Sequence, residues 1–252
     1  MSGLIKILSI GNSFSQDAHG YLHQILSSAD VDSLCVDLII GGCTLETHSR
    51  NIENNSRNYI LEIDSIQSKS NVSIEEFLDL YDWDVITNQQ ASLFSGVESS
   101  FEPYLGRVLS YIESKSPSSR KFLQKTWAYE SDAELDWFKM YDRDQLKMYR
   151  QITECFDKFS SKYGIPYIPS GDVIQALRGT EYFNYTQGGL KITRDGFHLN
   201  IPYGRYAVGL TWAKMLADVD PEDVSYVPEG ADASICAFIR RFVSDFLKRG
   251  KN

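Results

Sequence analysis

Short apolar runs alternate with stretches of helical periodicity along most of this chain. Leu4 to Ile10, Leu34 to Ile40, Asp84 to Thr87, Lys121 to Thr126 and Pro166 to Ile168 are candidate strands, each short enough to be a buried parallel strand. Between them lie segments with apolar residues three and four apart. Ser73-Ile74-Glu75-Glu76 is a capping box opening a helix with Phe77, Leu78 and Leu80, and Tyr141 to Tyr163 has the spacing of a long surface helix. Ile201 to Leu216 and Ala233 to Leu247 read as closing helices. The alternation predicts an α/β fold: a doubly wound, mainly parallel five-stranded sheet flanked by helices on both faces.

One region breaks the pattern. Residues 46–70 are polar and rich in Asn and Ser, interrupted by Tyr59-Ile60-Leu61-Glu62-Ile63, and are expected to form an excursion with a short strand outside the main sheet. No repeat, Pro- or Gly-rich linker or low-complexity tract marks a boundary, so residues 1–252 are read as a single domain.

Composition narrows the partners. A hydrophobic fraction of 42% over 252 residues suffices for a sizeable core. A formal net charge of -9 argues against a nucleic-acid surface, which concentrates Lys and Arg against phosphate. The basic group Arg240-Arg241 with Lys248, Arg249 and Lys251 suits the solvated face and end of a last helix. No apolar run reaches the ~20 residues of a membrane span, and the N-terminus lacks a secretory pattern, so no membrane partner and a cytoplasmic location are expected. Cys35, Cys43, Cys155 and Cys236 are scattered without a C-x-x-C pair, the pattern of reduced thiols rather than a disulfide or zinc framework.

Candidate chemistry sits at the two ends. Gly11-Asn12-Ser13-Phe14-Ser15 follows the first apolar run and precedes a helical segment, placing Ser13 at the carboxyl end of a first strand. Functional residues of open parallel sheets gather there, and helix N-terminal amides beside such a serine can stabilise an anion. Asn12, Ser13 and Ser15 would equally serve as turn and capping residues. Far downstream, Asp195-Gly196-Phe197-His198 sets a carboxylate three residues before a histidine, so that the acid can fix the tautomer of a base. His19 and His23 are four apart but lack the Glu of H-E-x-x-H and a third ligand, so no metal is expected. His48 reads as an exposed loop residue. Trp127 and Tyr129, after the fourth strand, are candidate substrate-stacking aromatics as well as ordinary core, and Trp137, Phe138, Met140 and Tyr141 are placed to cover a pocket.

These two end motifs resemble those of the SGNH, or GDSL-like, hydrolase superfamily, with Asn12 in place of the usual Asp. The resemblance implies a flavodoxin-like three-layer αβα fold, Ser13 as nucleophile, His198 as base and Asp195 as its orienting acid. It also implies an oxyanion hole of backbone amides from Ser13 and from Gly42, in the Gly41-Gly42 turn after the second strand, and a carboxamide. The family's G-x-N-D block is replaced here by Asn88-Gln89-Gln90-Ala91-Ser92, where Gln90 is taken as the donor ahead of Asn88, Gln89 and Ser92, which stay open, and Asn88 as a substrate contact. The expected activity is therefore hydrolysis of small carboxylic esters, foremost O-deacetylation of a carbohydrate or similar polar compound, without cofactor. A lipid esterase or thioesterase, or a silent binding module on the same fold, is the alternative.

Overall fold

The computed structural model describes residues 3–250. Strands β1 (Ile5–Gly11), β2 (Ser33–Ile39), β5 (Val85–Asn88), β6 (Arg120–Gln124) and β7 (Tyr167–Ile168) form the parallel part of one sheet, close to the five candidate strands. The sheet nevertheless has seven strands rather than five. Strands β3 (Tyr59–Ile63) and β4 (Ile66–Val72) form a hairpin added antiparallel to β2, in the order β4-β3-β2-β1-β5-β6-β7. The polar excursion thus contains a helix, α3 (Leu45–Glu53), and extends the main sheet instead of leaving it. Edge strand β4 is exposed at every residue but Val72, which is why its sequence carries no apolar signal.

The remaining helices are α1 (Ser13–His19), α2 (Leu22–Ser27), α4 (Ile74–Leu78), α5 (Tyr104–Lys115), α6 (Gln145–Tyr163), α7 (Ser170–Leu177), α8 (Tyr203–Ala217) and α9 (Ala233–Arg249). Tyr141 belongs to a preceding 3-10 turn rather than to α6, whose N-cap is Asp144. Ser73 and Glu76 make the reciprocal bonds of the expected capping box. Alternate residues of the central strands divide between two cores. Ile7, Cys35 and Val85 pack with residues of α1, α2, α8 and α9, whereas Leu8, Val36 and Ile86 pack with Phe77, Leu78, Val108 and Ile112 of α4 and α5. Helix α8 is buried on nearly every side, consistent with its almost continuously apolar sequence.

Three buried titratable groups tie stability to pH. His19 and His48 are fully buried, and burial lowers each imidazole to about 3. His19 Nε2 lies 2.7 Å from Ser9 Oγ, and His48 Nδ1 lies 2.8 Å from Tyr59 Oη. Burial also raises Asp37 well above the usual carboxylate range, against a hydrogen bond with Ser15 and reinforced by Glu62. Below about 6.5, the ordinary histidine value, the unfolded chain takes up protons that the folded imidazoles refuse, so stability falls as pH drops from there toward 3. Asp37 has the opposite sign: its contribution is lost as pH rises from the ordinary carboxylate value through its raised one. With two imidazoles against one carboxyl, the unfolding midpoint should be higher at pH ~6.5 than at ~4.5. Thermal unfolding at about pH 4.5, 6.5 and 8.5 checks this, and a midpoint unchanged between the first two would contradict it.

Candidate active site

The end of β1 and the start of α1 create the first part of the site. Gly11 is required because a Cβ there would stand 2.3 Å from Ser15 Oγ, so any side chain would drive α1 away from the strand. Asn12 caps the helix in an extended conformation, its Oδ1 accepting the Phe14 N–H at 3.0 Å. Ser13 is the first helical residue, a position whose N–H has no partner within the helix.

The second part is a tight loop between α7 and α8. Asp195 Oδ1 accepts the backbone N–H groups of Phe197 and His198 at 3.2 and 2.8 Å, and Oδ2 lies 2.7 Å from His198 Nδ1. Partial burial pushes the Asp195 carboxyl up, but these bonds from His198 and Phe197 outweigh it and hold the group below its ordinary value. The other ring nitrogen, Nε2, stands 2.9 Å from Ser13 Oγ, across 185 residues of sequence. Hydroxyl, imidazole and carboxylate thus form a continuous hydrogen-bonded chain. With Asp195 accepting at Nδ1–H, Nε2 is free to take the serine proton.

Asn12 also draws together the turns that flank Ser13. Its Nδ2 donates to Cys43 O at 3.0 Å, beside the Gly41-Gly42 turn, and its Oδ1 accepts from Gln89 Nε2 at 2.5 Å, beyond the end of β5. Gly42 is exposed with φ +65, and a Cβ there would meet nothing within 4 Å, so conformation and not space demands glycine. Its N–H carries no hydrogen bond among the described residues.

Of the two neighbouring carboxamides, Gln89 and not Gln90 keeps a donor without a partner among the described residues. Gln90 Nε2 donates to Ser100 O and Ser100 Oγ at 2.9 and 3.0 Å, and its Oε1 accepts from the Leu45 and Ala91 N–H groups, which leaves no donor for a substrate. Gln89 uses one N–H on Asn12 and leaves the second without a partner among the described residues. Neighbouring residues at a strand end face opposite ways, so Gln89 and Gln90 reach different partners. Asn88 is buried, with neither side-chain polar atom hydrogen-bonded among the described residues. Ser92, further along the same segment, bonds to Tyr129 Oη at 2.9 Å.

Trp127 and Tyr129 are fully buried and cannot stack on a substrate. Trp127 instead lies flat on Phe14, ring centroids 4.2 Å apart, while its Nε1 donates to Phe197 O at 2.6 Å. It therefore braces the neighbours of both Ser13 and His198. Phe197 packs on His198 at 3.9 Å, and the half-exposed Trp137 meets Phe197 edge-on at 6.4 Å. Phe138 and Tyr141, expected in a cover, are buried.

His19 and His23 do not act together. His19 faces Ser9, whereas His23 Nδ1 lies 3.0 Å from Ser33 Oγ and 3.3 Å from Asp64 Oδ1. His23, Cys35 and Asp64 are the group of possible metal ligands among the described residues. Asp64 Oδ1 already accepts the Cys35 N–H at 3.0 Å, so these contacts seat the β3–β4 turn on β2. His48 is buried on α3, not exposed in a loop: it stacks on Tyr59, and its Nδ1 lies 3.5 Å from Cys43 Sγ. Among the described residues no helix is long and apolar enough to cross a membrane.

A family model described as a domain of unknown function, DUF4886, matches residues 6–243. The crystal structure of a DUF4886 family protein from Bacteroides uniformis is 33% identical, with a TM-score of 0.91 over 99% of this chain and 97% of that one. More distant likenesses are of fold. A member of the lipolytic G-D-S-L family from Veillonella parvula is 14% identical with a TM-score of 0.52, covering 86% of this chain and 100% of the other. An acetylxylan esterase from Geobacillus stearothermophilus is 11% identical with a TM-score of 0.53, covering 84% and 94%. The architecture is that of the SGNH hydrolases. No curated protein matches the chain.

Proposed function

The chain belongs to the DUF4886 family, and on that footing we propose that it is a serine hydrolase of small carboxylic esters, with acetyl groups on a carbohydrate or similar polar compound as the preferred substrate. The observation that carries this reading is the unbroken chain Ser13 Oγ, His198 Nε2, His198 Nδ1, Asp195 Oδ2, with gaps of 2.9 and 2.7 Å. Fold likeness to an acetylxylan esterase supports the acetyl preference, as does the exposed edge of Trp137 beside Phe197.

In this mechanism His198 Nε2 takes the hydroxyl proton as Ser13 Oγ attacks the ester carbonyl. Negative charge then develops on the carbonyl oxygen, where the N–H groups of Ser13 and Gly42 and the free N–H of Gln89 receive it. The imidazolium, stabilised by Asp195, returns its proton to the departing alkoxide and leaves an acyl group on Ser13. Water repeats the sequence: His198 takes its proton, the hydroxide adds to the acyl carbon, and Ser13 leaves with the proton as the free acid departs.

Hydrolysis of p-nitrophenyl acetate, butyrate and octanoate, together with acetate release from acetylated xylo-oligosaccharides, tests this function. Acetyl turnover should exceed that of the longer chains; preference for octanoate would favour a lipid or thioester substrate. Gln89→Ala should lower kcat by about 10²–10³-fold with little change in KM, because its donor bond strengthens only as charge develops. Gln90→Ala should instead lower the unfolding midpoint, since it removes the brace between Ser100 and Leu45. The opposite assignment of losses would return the donor role to Gln90.

A further inference from the structure

Asp17 is fully buried on α1, four residues beyond Ser13, and the reaction described above does not use it. Burying a carboxylate is costly unless positive charge and hydrogen bonds compensate. Three donors do so here. Arg194 Nη1 and Arg205 Nε each lie 2.9 Å from Oδ1, and the Leu199 N–H lies 2.7 Å from Oδ2.

The positions of two of these donors give the cluster its meaning. Arg194 immediately precedes Asp195, and Leu199 immediately follows His198. The loop between them closes on itself: the Arg194 N–H donates to His198 O at 2.9 Å, Thr193 and Leu199 form an antiparallel bridge, and the Arg194 guanidinium also bonds Leu199 O. One carboxylate therefore holds both ends of the segment that carries the acid and the base. Residues four apart on a helix lie on one face, so the element that carries the Ser13 hydroxyl also anchors the loop that carries the imidazole. Arg205 reaches the same oxygen from α8, outside the loop.

We propose that Asp17 is a positioning residue which, through Arg194 and Leu199, sets the distance and angle between Ser13 and His198; the proposal rests on the serine-hydrolase reading for its kinetic consequence. A misplacement of ~1 Å between reacting groups can cost about 10²-fold in rate. Arg194→Met should therefore lower kcat on p-nitrophenyl acetate about 10²-fold with KM changed by less than about threefold, since alignment and not binding is lost. Arg194→Lys, which can still reach Asp17, should recover part of that loss.

Arg205→Met supplies the contrast, because it takes one positive charge from the same carboxylate without touching the loop. It should lower the unfolding midpoint about as much as Arg194→Met while losing far less kcat. A second readout does not require activity: the low-field proton resonance of the His198–Asp195 hydrogen bond should be present in the wild type and Arg205→Met and weakened in Arg194→Met. Equal kcat losses in the two arginine variants, or an unchanged resonance in Arg194→Met, would overturn the positioning role and leave only charge neutralisation. A wild type that shows the resonance but no esterase activity would instead defeat the hydrolase reading, and the resonance series would still decide the role of Asp17.

Discussion

Ser13→Ala is expected to lower kcat for p-nitrophenyl acetate by about 10⁶-fold, the loss typical of removing a triad nucleophile, with the unfolding midpoint nearly unchanged. The structure explains why the two effects separate. The Ser13 side chain is partly exposed and, among the described residues, its hydroxyl bonds only His198, whereas the turn is held by Asn12, Gly11 and Ser15. Truncation therefore removes chemistry and leaves the fold, and the residual rate reports binding and the oxyanion donors alone. Turnover near the wild-type level in a clean Ser13→Ala preparation would assign the reaction to another group.

Asp195→Asn should cost about 10⁴-fold in kcat, the effect seen when a triad carboxylate is replaced and the imidazole tautomer is no longer fixed. In the wild type, kcat/KM should rise with pH through a single ionisation as the imidazole loses its proton, then level off. Asp195 should add no step within that range, because the hydrogen bonds from His198 and Phe197 hold its carboxyl below the ordinary value. Kinetics from pH 5 to 9 on both proteins check the pair of expectations. A flat wild-type profile, or an Asp195→Asn variant with near wild-type kcat, would place the proton transfer elsewhere.

What was legible in the sequence follows from how far each interaction reaches. The central parallel strands β1 and β2 are buried along most of their length and stand out as apolar runs, whereas β5, β6 and β7 show only short apolar pairs such as Val85-Ile86 and Phe122-Leu123. The β3–β4 hairpin does not stand out, because its outer strand faces solvent and only Tyr59 to Ile63 shows a pattern. Ser13, Asp195 and His198 lie in short contiguous motifs, and their proximity follows once strand and loop are placed. The choice between Gln89 and Gln90 as oxyanion donor is not legible in sequence, because the end of a short strand is hard to fix and neighbouring side chains face opposite ways. Trp127 and Tyr129 are aromatics beside the site, but sequence cannot tell a ring that touches substrate from one that lies beneath it, and both lie beneath. Asp17 was invisible for a related reason: its partners Arg194, Leu199 and Arg205 are 177 to 188 residues away. The local signal was only an acid one helical turn past Ser13 and an arginine beside Asp195.

Activation of Ser13 by His198 is the centre of this account, and covalent labelling reaches it without knowledge of the natural substrate. The wild type is treated with a fluorophosphonate, its intact mass is measured, and the modified peptide is sequenced. The predicted result is a single adduct on Ser13, formed at least about 10²-fold more slowly in His198→Ala, where no base takes the hydroxyl proton. An unmodified wild type, an adduct on another residue, or labelling equally fast in His198→Ala would contradict it.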